Sequence, residues 1–464
     1  MRKIKLEKLF YKNKWQKPIS EKVFKNFTFD DQKIEIPNCN KKDLDKCIVS
    51  AKIGQNLFKK FSNEKKSKIL KKISLSIRKE ANILALKEKI ELGKSFNNAK
   101  KEMIACANLW MHASKIVKQK KKKIIKKQNV RLFECLEPVG IVCLIIPWNF
   151  PMIVLSERLP YILAAGNSVI IKPSEYGTLS INYLVKIIQK QGLPIGTINF
   201  ITGDKSVGQK LIEKKEISMI SFTGSTKSGK EIYSAASNSI KRLSLELGGK
   251  NPMAIFADAN LNSAAEDILY SFTHNAGQCC VSGSRLFIQK KIYKKFIKIL
   301  KFKIKNLSFY QSTATKSQFD KIKKIINKSI KIKIPIIYRE VKLFDNTKRI
   351  IFPIIFKQNK NSKILDQEIF GPVLTIETFN NTEKLVDLMN NTNYGLSALI
   401  WTKNKGKAFD LASKINFGRI WINGNISQNY PDLSIGGFKE SGLNRETGVS
   451  GIKTYSEIKS IIMN

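Results

Sequence analysis

Short, continuous apolar runs alternate with amphipathic stretches through the middle of the chain. Between residues 138 and 248 the runs Ile141–Ile146, Val169–Ile171, Ile198–Ile201, Met219–Phe222 and Leu243–Leu245 are almost wholly apolar. Such runs mark strands buried on both faces. The segments near 152–164, 177–191, 206–213 and 227–237 carry helical spacing instead. This β-α alternation predicts a doubly wound parallel sheet. Ligands of such sheets sit beyond the carboxyl ends of the strands, so the residues just after each run are the ones to inspect.

The flanks read differently. Residues up to about 115 predict mostly helix after a short irregular start. Ile69, Ile73 and Ile77 share one face, and the apolar set Ile83, Leu84, Leu86 and Ile90 stops at Gly93. The run 118–127, KQKKKKIIKK, predicts a solvated hairpin or loop, and Val130 to Leu136 a strand. Residues 250–435 form a second alternating region. It has a strand at Met253–Phe256, helices at 261–275 and 289–306, and a helix at 383–390 capped by Thr382. Residues 300–350 show no clear period, and Tyr455–Met463 predicts a short strand. No repeat or linker interrupts the chain.

At 464 residues, with 42% hydrophobic and 26% charged positions, the chain has room for two to four globular domains. The net charge of +46 is the one extreme value. It rests on 73 lysines against 10 arginines. A reader of nucleic acid leans on arginine for bidentate contacts, so this excess reads as compositional bias rather than a dedicated polyanion surface. No apolar run approaches the length of a membrane span, and no apolar leader follows the basic N-terminus. Two histidines, His112 and His274, rule out a three-His metal site. The seven cysteines form no CxxC pair, so no metal site is expected. An odd cysteine count without a leader points to reduced thiols and a cytoplasmic location.

The strand ends carry the chemistry. The first run ends in Pro147-Trp148-Asn149-Phe150-Pro151, the second in Lys172-Pro173-Ser174-Glu175 and the fourth in Thr223-Gly224-Ser225-Thr226. The fifth ends in Glu246-Leu247-Gly248-Gly249-Lys250. Gly277-Gln278-Cys279-Cys280 follows, then Glu368-Ile369-Phe370-Gly371-Pro372-Val373. Taken one at a time, each admits a bland role: Cys280 a buried small hydrophobe, Asn149 a turn residue, Glu246 a partner of the glycine turn's amides. Jointly and in this order, over nearly the whole chain to Gly436-Gly437-Phe438-Lys439-Glu440-Ser441-Gly442, they resemble the NAD(P)-dependent aldehyde dehydrogenase superfamily, betaine-aldehyde dehydrogenases included.

The resemblance implies an α/β fold with a doubly wound Rossmann-like cofactor domain, an α/β catalytic domain and a small β oligomerisation arm. The expected boundaries are 1–118 and 138–248 for the NAD-binding domain and 249–446 for the catalytic domain. The arm, which relatives use to form homodimers or homotetramers, would take 119–137 and 447–464. It implies Cys280 as nucleophile, with Cys279 a bystander. Asn149 and the Cys280 backbone N–H would hold the oxyanion, and Glu246 would be the base that hydrolyses the thioester. Glu246 also favours a free acid as product, because relatives that pass the acyl group to coenzyme A commonly lack it. For the cofactor it implies Gly224 and Ser225 at the pyrophosphate, Lys172 and Glu175 at the adenosine ribose, Glu368 and Phe370 at the nicotinamide ribose, and Trp148 nearby. Glu175 would accept a ribose 2′-hydroxyl and repel a 2′-phosphate, which favours NAD while leaving NADP open.

Substrate choice in such enzymes lies in the tunnel after Asn149. There Glu157 stands where many relatives have an apolar or aromatic residue. A carboxylate could attract a cationic aldehyde such as betaine aldehyde or an aminoaldehyde, with Trp110, Phe150 and Tyr430 as aromatic partners. A structural pair between Glu157 and Arg158 is the competing role. Succinate semialdehyde or a generic aliphatic aldehyde is the alternative substrate. An inactive fold used as a basic-surface binding protein is the alternative of another class. The expected partners are a small-molecule aldehyde and further copies of the chain, with no specific nucleic acid and no membrane.

Overall fold

The computed structural model describes residues 4–463 apart from 7, 29–31, 120–122, 128–129, 308–309, 360 and 429. The chain divides into two compact units. The first takes Met1–Leu245, Tyr430–Ile435 and Asn444–Asn464; the second takes Glu246–Asn429 and Gly436–Leu443.

In the first unit the predicted runs form one sheet. Its neighbours run in the order Arg242–Glu246, Met219–Thr223, Ile141–Ile146, Ser168–Pro173, Ile198–Phe200, Leu9–Tyr11, Lys14–Gln16. The inner pairings are parallel, with Leu144 opposite Ile171 and Ser221, and Ile170 opposite Asn199. Helices cover the sheet, so Val142, Leu144, Val169, Ile171 and Phe200 are all buried. Each such side chain contributes ~1.5–3 kcal/mol relative to exposure. Strand order reverses between Ile141–Ile146 and its two neighbours. That topological switch opens a crevice at the carboxyl ends, where the loops starting at Pro147 and Gly224 leave the sheet.

Three expectations need correction here, and the hairpin expected at 118–127 is found in part. The start of the chain is not irregular: Ile4–Lys5, Leu9–Tyr11, Lys14–Gln16, Val23–Phe27 and Lys33–Pro37 are strands. They are only two to five residues long, so the two-residue period is too brief to read. The helix expected at 152–164 is two helices, Pro151–Ser156 and Leu159–Ala165, interrupted at Glu157 and Arg158. The helix near 383–390 spans Thr382–Asn390 and is capped by Asn381, whose side chain accepts the Lys384 N–H. The run 118–127 divides: Val117–Gln119 closes the preceding helix, residues 120–122 lie outside the described residues, and Lys123–Lys127 is a strand. That strand, Val130–Pro138 and Ser456–Met463 make a three-stranded antiparallel sheet.

The second unit is built on a seven-stranded sheet. Its order is Ile336–Arg339, Ile354–Lys357, Val373–Phe379, Gly283–Gln289, Asn251–Ile255, Ser397–Trp401, Arg419–Ile422. All pairings are parallel except that of Ile336–Arg339. The stretch that showed no period contains the helix Lys316–Lys331. Its buried face is Phe319, Ile322, Ile325 and Ile326, and lysines crowd the rest. No described helix is long and apolar enough to cross a membrane. None of the seven cysteines is in a disulfide.

Candidate active site

The loop that carries Cys280 lies wholly in the second unit. The helix Leu261–Thr273 stops because Asn275, Ala276 and Gly277 take left-handed backbone angles, with φ of 53°, 56° and 70°. Two of these are not glycine, so each costs of order 1–3 kcal/mol and persists only because neighbours hold it. The holding groups are visible. Gln278 Nε2 donates to the Asn275 carbonyl at 2.9 Å, and Gln311 Nε2 donates to Asn275 Oδ1 at 2.7 Å. The Ala314 N–H donates to Gln278 Oε1 at 3.0 Å. At Gly277 a Cβ would stand 2.3 Å from the Gly371 carbonyl carbon, so the loop touches backbone just beyond Phe370.

Cys280 follows, part-exposed, while Cys279 is 8% exposed and packs inward. The Cys280 carbonyl accepts from Asn251 Nδ2 at 2.7 Å, and the same amide donates to Ser282 O at 2.9 Å. Asn251 Oδ1 accepts the Ser397 N–H at 3.0 Å. One side chain thus ties the Cys280 loop to two strands. Gly249 permits this approach, since a Cβ there would stand 2.6 Å from the Cys280 carbonyl oxygen. Cys280 precedes its strand, Gly283–Gln289, so the carboxyl-end rule alone would not have found it; the family resemblance did.

Glu246 ends the strand Arg242–Glu246 and is 6% exposed. Glu368 reaches the glycine turn that follows Glu246. Its Oε1 accepts the Gly249 N–H at 3.0 Å. A Cβ at Gly248 would stand 2.3 Å from Oε2, so glycine leaves the space that the carboxylate fills. Burial pushes Glu368 above the usual carboxylate range; the Gly249 N–H and Lys321 work against that. Phe370 has φ 59°, and its carbonyl accepts from Gln318 Nε2 at 3.1 Å.

The remaining nominated residues lie in the first unit. Asn149 is 7% exposed and Trp148 part-exposed, both just past the strand Ile141–Ile146. Lys172 is 3% exposed and its Nζ donates to the Pro173 carbonyl at 3.3 Å. Burial lowers its pKa, and Glu175 opposes this. Glu175 follows on the next turn, part-exposed. Ser225 caps the helix Thr226–Ser237, its Oγ accepting the Ser228 N–H at 3.2 Å. The dipole of that helix therefore points its positive end at the crevice where the strand order switches. A Cβ at Gly224 would stand 2.4 Å from the Phe222 ring.

The residues nominated for the substrate are otherwise engaged. Glu157 Oε2 lies 3.5 Å from Arg158 Nη1. Trp110 is fully buried and donates its indole N–H to Ser156 at 3.2 Å. Phe150 already carries a cation, Lys94, 4.4 Å from its ring centroid. Of the three proposed aromatic partners only Tyr430 is well exposed.

Sequence reasoning missed several buried ionic centres, among them those at Glu446 and Lys250. Glu446 is fully buried, and both of its oxygens accept from the Tyr455 hydroxyl, at 2.8 and 2.9 Å. Ser244 donates to it as well, and Arg158 Nε stands 3.7 Å away. Burial raises its pKa. The second centre is Lys250, 1% exposed, whose Nζ has no hydrogen-bond partner among the described residues. Burial, with Arg285 adding to it, lowers its pKa to about 7. Lys250 lines a cavity of about 490 Å³ with Arg285, Asp366 and Glu377. None of the nominated site residues lines that cavity. Neither centre has a local pattern that separates it from ordinary surface charge.

A part-exposed free cysteine on a strained, braced loop and a buried glutamate before a glycine turn are the chemistry-bearing groups of the second unit. The doubly wound sheet in the first unit, with a helix N-terminus at its switch point, defines a nucleotide fold. The family comparison agrees: residues 16–461 match the aldehyde dehydrogenase family, and the chain belongs to it, as an oxidoreductase acting on aldehydes. It is 31% identical to a betaine aldehyde dehydrogenase of Bacillus subtilis, over 91% of this chain and 90% of that one. It is 33% identical to aldehyde dehydrogenase 1A1 of Gallus gallus, over 99% and 94%. Among solved structures, the NAD-dependent aldehyde dehydrogenase of Sinorhizobium meliloti matches with a TM-score of 0.95 at 30% identity, covering 100% of this chain and 95% of that one. A betaine aldehyde dehydrogenase of Staphylococcus aureus in complex with NAD+ matches with 0.94 at 28% identity, covering 99% and 97%.

Proposed function

We propose that the chain oxidises an aldehyde to the free carboxylic acid, with Cys280 as nucleophile and NAD as cofactor. The observation that carries this reading is the braced loop itself. Two non-glycine left-handed residues, held by Gln278 and Gln311, set Cys280 in the same unit as Glu246 and the Glu368 cradle.

Cys280 adds as thiolate to the aldehyde carbon, and Asn149 Nδ2 with the Cys280 backbone N–H receives the oxyanion. Removing one such donor typically costs about a hundred- to a thousandfold in rate. Hydride loss from the thiohemiacetal leaves a thioester on Sγ. Glu246 then takes a proton from water, whose oxygen attacks the thioester and frees the thiol. The residues that would hold NAD are Gly224 and Ser225 at the phosphates, Lys172 and Glu175 at one ribose, and Glu368 and Phe370 at the other, with Trp148 alongside. When bound, NAD supplies the hydride acceptor. Two features support this fit: the Gly248 space filled by the Glu368 carboxylate, and the capped helix that opens at Ser225. Glu175 favours NAD over NADP.

For the substrate, Glu157 supports a cationic aldehyde such as betaine aldehyde or an aminoaldehyde. Its pairing with Arg158 and the occupied Phe150 ring weigh toward succinate semialdehyde or a neutral aldehyde. We assign residues 1–118 and 138–248 to cofactor binding and 249–446 to catalysis, in a cytoplasmic enzyme. The sheet of Lys123–Lys127, Val130–Pro138 and Ser456–Met463 would serve assembly into a homodimer or homotetramer.

The test is NADH formation by purified protein with NAD or NADP against betaine aldehyde, 4-aminobutanal, succinate semialdehyde, propanal and benzaldehyde. Cys280→Ser should nearly abolish turnover and leave NAD binding intact; normal turnover overturns the assignment. Strong turnover of the cationic aldehydes that falls in Glu157→Gln supports the charge reading. Preference for an acidic or neutral aldehyde leaves Glu157 as Arg158's partner only.

A further inference from the structure

The helix Ala81–Leu92 ends because Gly93 takes φ 70° and lets the chain reverse. The next residue, Lys94, is thereby turned into the interior of the first unit. Its Nζ lies 2.6 Å from Glu88 Oε2 and 2.6 Å from Glu102 Oε2, and its side chain is 2% exposed. Burial pulls its pKa down, but Glu102 and Glu88 more than offset this, so it stays charged. Both partners come from helices, Glu88 from Ala81–Leu92 and Glu102 from Phe96–Ile116.

This cluster grips the chain on either side of one bond pair. The Lys94 cation stands 4.4 Å from the centroid of the Phe150 ring. Glu88 Oε1 accepts the Met152 N–H at 3.2 Å and the Ser180 hydroxyl at 3.5 Å. Met152 sits in the first turn of Pro151–Ser156, where backbone N–H groups have no partner within the helix. Phe150, with φ −139° and ψ 62°, is outside helical geometry. The direction of the Asn149 side chain therefore depends on where Phe150 and Met152 are held.

We propose that Lys94, bridged by Glu88 and Glu102, is a positioning residue that aims Asn149 by holding Phe150 through its ring and Met152 through the Glu88 carboxylate. This rests on the reading of Asn149 as oxyanion donor. The chemistry chosen fits the task. Apolar side chains of similar volume would join the same helices at least as well as a buried ionic trio. They would offer neither an anionic acceptor for Met152 nor a cation for the Phe150 face. A misplacement of about 1 Å can cost on the order of a hundredfold in rate.

The experiment is the pre-steady-state burst of NADH, measured for wild type, Lys94→Met, Asn149→Ala and the double variant. Burst amplitude counts competent subunits, and burst rate reports the chemistry within them. Lys94→Met should slow the burst about ten- to a hundredfold. NAD affinity and the rate of Cys280 alkylation by iodoacetamide should stay at wild-type values. Amide hydrogen exchange across 149–156 should quicken. In the Asn149→Ala background the same change should cost less than about threefold, because the group being aimed is gone. Full additivity, or a lost amplitude with an unchanged rate, overturns the proposal and leaves the trio a folding element. An unchanged burst in Asn149→Ala alone instead overturns the oxyanion reading. Should Lys94→Met fail to fold, Lys94→Met/Glu88→Gln removes one charge of each sign and keeps an amide oxygen for Met152. The same slowing is expected there, and a wild-type burst rate overturns the proposal.

Discussion

At the scale of single residues, this protein keeps charge in places where apolar packing would be cheaper, and the consequences are measurable. Lys250 is the clearest case. Its Nζ is buried without a hydrogen-bond partner among the described residues, and its pKa falls to about 7 from an ordinary value near ~10.4. The unfolded chain holds a proton there up to the ordinary value, whereas the folded chain releases it near 7. Between those limits the unfolded state binds more protons, so this residue's contribution to stability rises with pH. The penalty is fully present below 7. Lys250→Met, close in volume, should therefore be more stable than wild type at pH 7, by on the order of a few kcal/mol at most, and melt at a higher temperature. The advantage should shrink steadily toward pH 9.5. A pH-independent difference between the two melting curves would show that the lysine is not the titrating group. Glu246 belongs to the same scale. Glu246→Gln should keep a single-turnover burst of NADH and lose steady-state hydrolysis; loss of the burst itself would refute its role as hydrolytic base.

At the scale of elements, backbone strain and close approach place Cys280. Gly277 combines φ 70° with a Cβ position 2.3 Å from the Gly371 carbonyl carbon. That neighbour is backbone and cannot rotate aside. Gly277→Ala should destabilise the second unit by more than ~1 kcal/mol, through the left-handed angle alone, with the clash added. Urea unfolding followed by intrinsic fluorescence checks it, and an unchanged midpoint would show that the loop relaxes without cost. Elements also mark the limits of reading a sequence. The five inner strands of the first unit stand out because both faces are buried, leaving no polar positions to blur the runs. The opening strands were invisible because Val23–Phe27 alternates exposed and half-buried positions over only five residues. The helix Lys316–Lys331 was hidden by its lysines, although Thr315 caps it and Phe319, Ile322 and Ile326 keep helical spacing.

At the scale of the whole molecule, the dominant quantity is the net charge of +46. Like charges at this density repel, and the repulsion is greatest in the compact state. At an ionic strength of 0.1 M the Debye length is about 10 Å, so modest salt should screen much of it. The melting temperature is expected to rise as sodium chloride goes from about 0.05 to 0.5 M. A flat or falling curve would mean that local ion pairs already balance the field. Binding to duplex DNA, where present, should show no sequence preference and collapse over the same salt range. Salt-resistant, sequence-selective binding would restore the basic-surface reading.

Residue types and their spacing sufficed for the α/β class, the order of the inner strands along the chain, and the residues nominated for chemistry. These are consequences of burial on both strand faces and of motifs contiguous along the chain, and both are local. Folding decided the rest. The Gly248 and Gly249 contacts with Glu368 and Cys280 join residues about 30 to 120 positions apart. The use of Phe150 by Lys94 and the buried Lys250 and Glu446 depend on which side chains share a low-dielectric interior. No local pattern encodes that, because the energy of a buried charge is set by neighbours brought from elsewhere in the chain.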